Sequence, residues 1–285
     1  MIPAAFSYTR AGSVDEALGL VGQPGTKVIA GGMSLLPLMK LRLASPERLV
    51  DIGRLDELKG VRRLSDGRMA IGALTTYTEL LDSPVREYGL FRDALPGIGD
   101  VQVRNRGTVG GAVAHCDPAS DLPAVLLALD AEIVIRSKNG ERVRPIAGFF
   151  QGAFQTELAE DELITEIRLP GPRDDAGSAF ESMAQKASGY SIVGVAAVVI
   201  KSGGSAITQA NIALTGVGDM PYRAAAVESA LVGNEGTAES IAAAASHATD
   251  GVTVNSDIHA DVAYRTAMAA VYTKRAIQAA LARLG

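Results

Sequence analysis

One cysteine, three histidines and no tryptophan occur in a chain of 285 residues, and each scarcity removes a class of chemistry. With Cys116 as the only thiol, no internal disulfide can form, which suits a reducing compartment. An iron–sulfur cluster held by this chain alone is excluded too, because such clusters typically take four cysteine ligands. His115, His247 and His259 lie far apart in sequence without helical spacing, so no zinc site is expected and no metal ligands are assigned. Any redox chemistry therefore calls for an organic cofactor.

Positive charge is not in excess either. Lysine and arginine number 27 against 32 acidic residues, for a net charge of −5 and no basic block, so nucleic acid is not an expected partner. The opening MIPAAFSYTRAGS has no cationic segment followed by an apolar run, so no secretory signal is expected. The longest apolar run, Val193 to Ile200, has the length of a strand. It falls far short of the ~20 residues that cross a bilayer. The expectation is a cytoplasmic protein without a membrane span. Apolar residues are plentiful at 47%, enough to core one large domain or two to three smaller ones.

The chain reads as two differently patterned halves. Ser13-Val-Asp-Glu16 is a capping box opening a helix to about Val21. "TKVIA" predicts a buried strand, Ser34 to Leu43 an amphipathic helix, and "ERLVDIG" a second strand, together a βαβ unit with parallel strands. Asp66-Gly67 and Asn139-Gly140 each sit between extended runs and predict hairpins. Between them come helices over Tyr77 to Asp82 and Val85 to Leu95, and "ELITEIRLP" predicts a strand. The break "PGPRDDAGS" marks a domain boundary. Beyond it, antiparallel strands joined at Gly203-Gly204 precede helices over Tyr222 to Val232, Thr237 to Ala248 and Ile258 to Leu284. The last should bury a stripe of Val262, Met268, Val271, Ile277 and Leu281.

Two glycine pairs carry the chemistry, Gly31-Gly32 in "VIAGGMSLLP" and Gly110-Gly111 in "RNRGTVGGAVAHCDPASD". Each follows an apolar or extended run and lies beside a hydroxyl, Ser34 or Thr108. Glycine lacks Cβ, so its N–H can face a bulky anion, and successive N–H groups in a tight turn form an anion-binding nest. A helix opening at the turn adds its dipole. Two readings stand side by side: compact connections, or two halves of a pyrophosphate clasp. Arg104 and Arg106 either attract phosphate or solvate a surface, and Asp121 either accepts hydrogen bonds from sugar hydroxyls or caps the next helix. Cys116 reads as a small buried apolar residue, since no activating base is evident.

"IAGGMSLLPLMKLRLASPERLVDI" followed by "VRNRGTVGGAVAHCDPASDLPAVLLALDAEI" closely resembles the FAD-binding medium subunit of the molybdenum hydroxylases, the xanthine dehydrogenase and aerobic carbon monoxide dehydrogenase family. The resemblance extends to "FSYTRAGSVDEALGL" and "DELITEIRLP" and so spans nearly the whole chain. It implies an α+β fold: a bipartite FAD domain of the vanillyl-alcohol-oxidase type over 1–175, with subdomains of about 1–57 and 58–175. A smaller carboxy-terminal α/β domain over 176–285 would combine a short antiparallel sheet with helices. It also implies that the turn around Ala30 to Ser34, with Val28, Ile29 and Leu35 beside it, holds the FAD pyrophosphate. The constituents of that turn are Ala30, Gly31, Gly32, Met33 and Ser34, and its counterpart is Thr108, Val109, Gly110 and Gly111 with Ala112. Asp121 would meet cofactor hydroxyls, Ile98 and Ile164 would make apolar contacts, and Tyr190 would lie near the isoalloxazine; Lys186 is a further cofactor-binding candidate, and His115 either touches the cofactor or packs locally.

Where many relatives read Y-x-K-x-x-x-R-x-x-D-Y, this chain has "FESMAQKASGY", with Ser182 in place of the lysine and Gly189 in place of the aspartate. Gln185 and Lys186 occupy the basic stretch, and Met33 replaces a more common polar residue. The implied function is an electron-transfer flavoprotein with no catalytic dyad or triad of its own. Its implied partners are a small [2Fe–2S] subunit and a large subunit with the molybdenum cofactor, as a dimer of heterotrimers. The alternatives are a free-standing FAD oxidase or dehydrogenase, and a flavin-free accessory protein of the same fold.

Overall fold

The computed structural model describes residues 2–284. Its first layer is a parallel three-stranded sheet in the order β1 (Ser7–Arg10), β3 (Arg48–Asp51), β2 (Thr26–Ile29). The βαβ unit forms as the spacing predicts, although β2 is half-exposed rather than buried. α1 (Val14–Val21) begins at Ser13, whose hydroxyl accepts from Glu16 N–H. The reciprocal arm of the box reaches one residue further back: Gly12 N–H donates to the Glu16 carboxylate at 2.7 Å. α2 (Leu35–Lys40) stops short of the predicted Leu43.

A five-stranded antiparallel sheet comes next, built from β4 (Val61–Arg63), β5 (Met69–Gly72), β6 (Glu132–Ser137), β7 (Gly140–Pro145) and β10 (Leu163–Leu169). β10 lies between β5 and β6, so the Asp66-Gly67 and Asn139-Gly140 hairpins flank it on either side. β8 (Phe150–Gly152) and β9 (Gln155–Thr156) form a small separate hairpin. Helices α3 (Tyr77–Leu81), α4 (Gly89–Ala94), α5 (Val101–Arg104), α6 (Val109–His115) and α7 (Asp121–Ala128) fill the stretch between β5 and β6.

The helix expected over Val85 to Leu95 is broken. Pro84–Glu87 makes a 3-10 turn, Tyr88 is extended, and α4 starts at Gly89. α4 starts on a glycine because another strand comes close there: a Cβ on Gly89 would lie 2.3 Å from the Ser178 carbonyl oxygen. Tyr88 also turns its hydroxyl to donate to the Pro170 carbonyl at 2.5 Å.

The second sheet runs antiparallel in the order β11 (Ala176–Ala184), β12 (Ser191–Ile200), β13 (Gln209–Thr215), β14 (Tyr222–Arg223). β14 takes up the start of the helix expected from Tyr222, so α8 begins at Ala225 and runs to Leu231. α9 (Ala238–Ala245) and α10 (Val262–Leu281) follow. On β12, Val193, Val195, Ala197 and Val199 join a core with these carboxy-terminal helices. Ala196, Val198 and Ile200 face the other way, into the core shared with α4, α6 and α7. A sheet buried on both faces needs an almost uninterrupted apolar strand, which is what "VGVAAVVI" supplies. α7 is buried at every position from Asp121 to Ala128, because it packs on β12 and β13 and against α4 and α6.

The α10 stripe holds in part: Ile277 is buried and Met268 and Leu281 pack on the carboxy-terminal core, whereas Val262 and Val271 are exposed and Arg265, Ala269, Thr273, Ala276 and Ala280 complete the buried face. The helix lies so close to the sheet that a Cβ on Gly177 would come within 1.9 Å of the Ala280 carbonyl oxygen. Alanines permit that approach and large aliphatics would not.

Candidate functional site

The first glycine turn connects β2 to α2. Gly32 has a φ of +75°, the left-handed region that glycine enters without strain. Leu36 N–H closes the turn onto the Gly32 carbonyl at 3.0 Å. Among the described residues, no acceptor meets the N–H groups of Gly31, Gly32, Met33, Ser34 or Leu35. Ser34 occupies the helix cap without using its side chain there, so its hydroxyl is a further donor. Met33 contributes through its backbone, which its side chain leaves unchanged. With only six residues in α2, the local donors outweigh any dipole.

The second turn packs directly against the first. A Cβ on Gly31 would sit 1.8 Å from the Arg106 carbonyl oxygen and 3.3 Å from Gly107 Cα. Sequence reasoning expected a row of free amides in this turn as well, and the structure corrects that. Val109 N–H donates to Thr75 O at 3.1 Å, Gly110 N–H to Ala73 O at 2.8 Å and Ala112 N–H to Thr108 O at 3.0 Å. Gly111 N–H turns back to Thr108 Oγ1 at 3.3 Å. Gly110 is a glycine for packing, since a Cβ there would stand 2.6 Å from that of Ala73. What the turn still offers is the Thr108 N–H, which meets no acceptor among the described residues, and the proton of its hydroxyl.

Past the turns, Asp121 is 7% exposed and accepts from Ser191 Oγ at 2.6 Å, joining α7 to the start of β12. Burial pushes its carboxyl up to about 7, against the lowering effect of the Ser191 hydroxyl. The helix cap is Ser120, so Asp121 does not cap α7 as one reading had it. Tyr190 stands 47% exposed at the foot of the β11–β12 hairpin, its pKa raised by burial and by Asp117. A cleft of about 380 Å³ opens there, lined by Asp117, Gln185, Tyr190, Ser191, Asn255 and Arg265 among others. Arg265 forms its buried floor, donating to the Ile192 and Gly216 carbonyls and to Asp257.

Other expected residues scatter around this line. Ile98 and Ile164 pack on the same core cluster. His115 lies against the Phe154 ring at 5.0 Å, its pKa lowered by burial. Arg104 donates to the Ile98 and Gly99 carbonyls and so braces a loop, whereas Arg106 is exposed. Cys116 is buried, its thiol pushed up to about 11 by desolvation, which leaves it unreactive. No group of three or more candidate metal ligands occurs among the described residues.

The family model for the FAD binding domain in molybdopterin dehydrogenase matches residues 4–172, and that for the CO dehydrogenase flavoprotein C-terminal domain matches residues 178–280. The chain belongs to this flavoprotein family. It is 42% identical to the carbon monoxide dehydrogenase medium chain of Hydrogenophaga pseudoflava, covering 99% of each chain. It is 38% identical to the glyceraldehyde dehydrogenase medium chain of Sulfolobus acidocaldarius, covering 98% of this chain and 99% of that one. A solved carbon monoxide dehydrogenase from Hydrogenophaga pseudoflava superposes with a TM-score of 0.96 at 42% identity, covering 100% of both chains. Quinoline 2-oxidoreductase from Pseudomonas putida 86 gives 0.92 at 31% identity, again covering 100% of both.

This member of the flavoprotein family is an oxidoreductase subunit with an FAD-binding domain. The donor set suits the cofactor: unpaired amides and hydroxyls face an anion without a counter-cation. Among its departures from relatives, Gly189 has a φ of +76°, and a Cβ there would come 3.2 Å from Gly99 N. Lys186 is exposed on the same hairpin. Ser191 escaped sequence reasoning because only the fold carries β12 to α7. Tyr77 escaped it as a helix-start residue, and its ring now lies beside Gly107.

Proposed function

We propose that this chain is the FAD-carrying electron-transfer subunit of a heterotrimeric molybdenum hydroxylase. It would work with a small subunit bearing [2Fe–2S] clusters and a large subunit bearing the molybdenum cofactor, as a dimer of heterotrimers in the cytoplasm. The observation that carries the reading is the run of unpaired amides from Gly31 to Leu35 packed against Arg106 and Gly107, which lead into Thr108. Medium-chain names among full-length relatives support the assembly. The lone buried thiol of Cys116 fits clusters carried by another subunit.

FAD, when bound, supplies the redox centre that links iron–sulfur donors to an external acceptor. The chain's own task is to hold and orient it. The amides of Gly31 to Leu35 and the Ser34 hydroxyl bind the pyrophosphate, with Thr108 closing from the second turn. Val28, Ile29 and Ala30 fix the start of the first turn, while Val109, Gly110, Gly111 and Ala112 anchor the second. Asp121 accepts from cofactor hydroxyls, Ile98 and Ile164 give apolar contact, and Tyr190 flanks the ring with His115 and Lys186 nearby.

The purified chain, incubated with FAD and desalted, should retain stoichiometric flavin absorbance. Co-expressed with its neighbouring reading frames, it should co-purify with an iron–sulfur chain and a molybdenum-containing chain. Failure to take up flavin overturns the cofactor reading, and flavin uptake with neither partner overturns the heterotrimer.

A further inference from the structure

Arg265, in the first turn of α10, is 4% exposed, an unusual place for a guanidinium. One of its terminal nitrogens donates to two backbone carbonyls, Ile192 at 2.7 Å and Gly216 at 2.5 Å. The other meets the half-exposed carboxylate of Asp257 at 2.5 Å. Asp257 is pinned in turn, accepting from His259 N–H at 2.8 Å and Ala260 N–H at 3.1 Å. The remaining Nε–H is buried without an acceptor among the described residues. A buried charge with one donor orphaned costs free energy, and well-packed apolar side chains often serve stability as well or better. What the guanidinium secures is therefore placement.

The groups it holds lie on both sides of the contact between Asp121 and Ser191. Ile192 follows Ser191 directly, with Tyr190 just before them. Gly216 N–H donates to the Pro118 carbonyl at 2.7 Å, and the Thr215 hydroxyl is shared between the Pro118 and Ser120 carbonyls at 2.8 and 2.9 Å. Ser120 runs straight into Asp121. The Ser191 arm and the Asp121 arm thus end at the same guanidinium nitrogen, one through Ile192 and the other through Gly216. They are also pressed together: a Cβ on Gly216, whose φ is +79°, would lie 2.5 Å from the Ser191 carbonyl oxygen and 2.6 Å from that of Ile192. Lysine cannot replace Arg265 in full, because an ammonium has no planar fork to serve the carbonyl pair and Asp257 together.

We propose that Arg265 is a positioning residue for the flavin end of the cofactor site, fixing Asp121 and Tyr190 relative to each other through the Gly216 and Ile192 carbonyls. The proposal rests on the FAD-site reading above, in which Asp121 meets cofactor hydroxyls and Tyr190 flanks the ring. The pyrophosphate turn from Gly31 to Leu35 makes no hydrogen bond with Arg265, Ile192 or Gly216, so only the ribityl and ring half of FAD senses the clamp.

The test titrates wild-type chain and Arg265→Lys with FAD and, separately, with ADP, which keeps the pyrophosphate but lacks the ribityl chain and ring. Arg265→Lys should weaken FAD about tenfold, the scale of one lost hydrogen bond to the cofactor, and leave ADP unchanged. Combined with Asp121→Asn, it should cost less than the product of the two single losses, because Arg265 acts through Asp121. Gly177→Ala controls for general disturbance of α10. Its methyl pushes the far end of the helix off the sheet at Ala280, so it should lower thermal stability without changing the ratio of FAD to ADP affinity. If Arg265→Lys does not fold, Asp257→Asn removes only the half-exposed partner and should shift that ratio in the same direction by a smaller factor. An unchanged ratio in the folded variant overturns the proposal and leaves the site reading intact. Parallel weakening of FAD and ADP, a matching shift in Gly177→Ala, or losses that multiply with Asp121→Asn overturn it too, by giving Arg265 a purely structural role. No FAD uptake by wild type overturns both readings.

Discussion

The two glycine turns look interchangeable on the page and differ in the molecule. In the first, Gly32 takes a left-handed conformation and the amides that follow have no protein acceptor. In the second, Ala73, Thr75 and Thr108 have already claimed the amides, and glycine serves close packing of α6 on the end of β5. A glycine pair beside a hydroxyl thus says that backbone comes close to something. Whether that something is a ligand or another piece of backbone depends on where the neighbouring carbonyls lie. The first turn is a donor surface and the second is mainly the wall that holds it in place.

The sharpest way to break this comparison is Gly31→Ala. Its methyl would collide with the Arg106 carbonyl, and that oxygen belongs to the backbone and cannot swing aside. The two turns must separate, and FAD retention should fall on the order of a hundredfold, about 2.7 kcal/mol, in equilibrium titration. Wild-type retention would show that the turns do not act together.

Gly110→Ala tests the other half. Its methyl meets Ala73 in a fully buried place, so overpacking should lower stability by about 1–3 kcal/mol with or without flavin. Chemical denaturation of the flavin-free chain reads this directly. An effect seen only when FAD is present would return Gly110 to the role of ligand-facing donor.

A different kind of effect, read as a pH slope, concerns Asp121. Its carboxyl moves from an ordinary value of 3.8 to about 7 on burial. Between those values the folded state holds the proton more tightly than the unfolded chain does. Stability should therefore be full below 3.8 and decline as pH rises toward 7. Asp121→Asn should flatten that decline in thermal unfolding of the flavin-free chain, and a wild-type slope in the variant would place its origin elsewhere.

Legibility followed the range of the interactions involved. The Asp66-Gly67 and Asn139-Gly140 hairpins and the β2–α2–β3 unit appear as read, because turn chemistry and short-range periodicity specify them. The buried face of α10 is legible only in part. Ile277 is buried as its size predicts, whereas Val262 and Val271 are exposed and alanines take the positions that allow contact near Gly177. The need for glycine at the start of α4 has a similar origin, since the Ser178 carbonyl that Gly89 accommodates lies on a strand far along the chain.

At the candidate site the same division holds. The sequence by itself determined which residues lack side-chain bulk, where hydroxyls stand beside them, and that the chain carries a single thiol. It also supplied the long motifs that mark the flavoprotein family. Only the tertiary structure decided which amides stay unpaired, that Gly31 abuts Arg106, and that Asp121 on α7 meets Ser191 on β12. Composition and local spacing are properties of neighbours along the chain. The fate of an N–H or a buried carboxyl is set by whichever partner folding brings within about 3 Å, and for Asp121 that partner lies 70 residues along the chain.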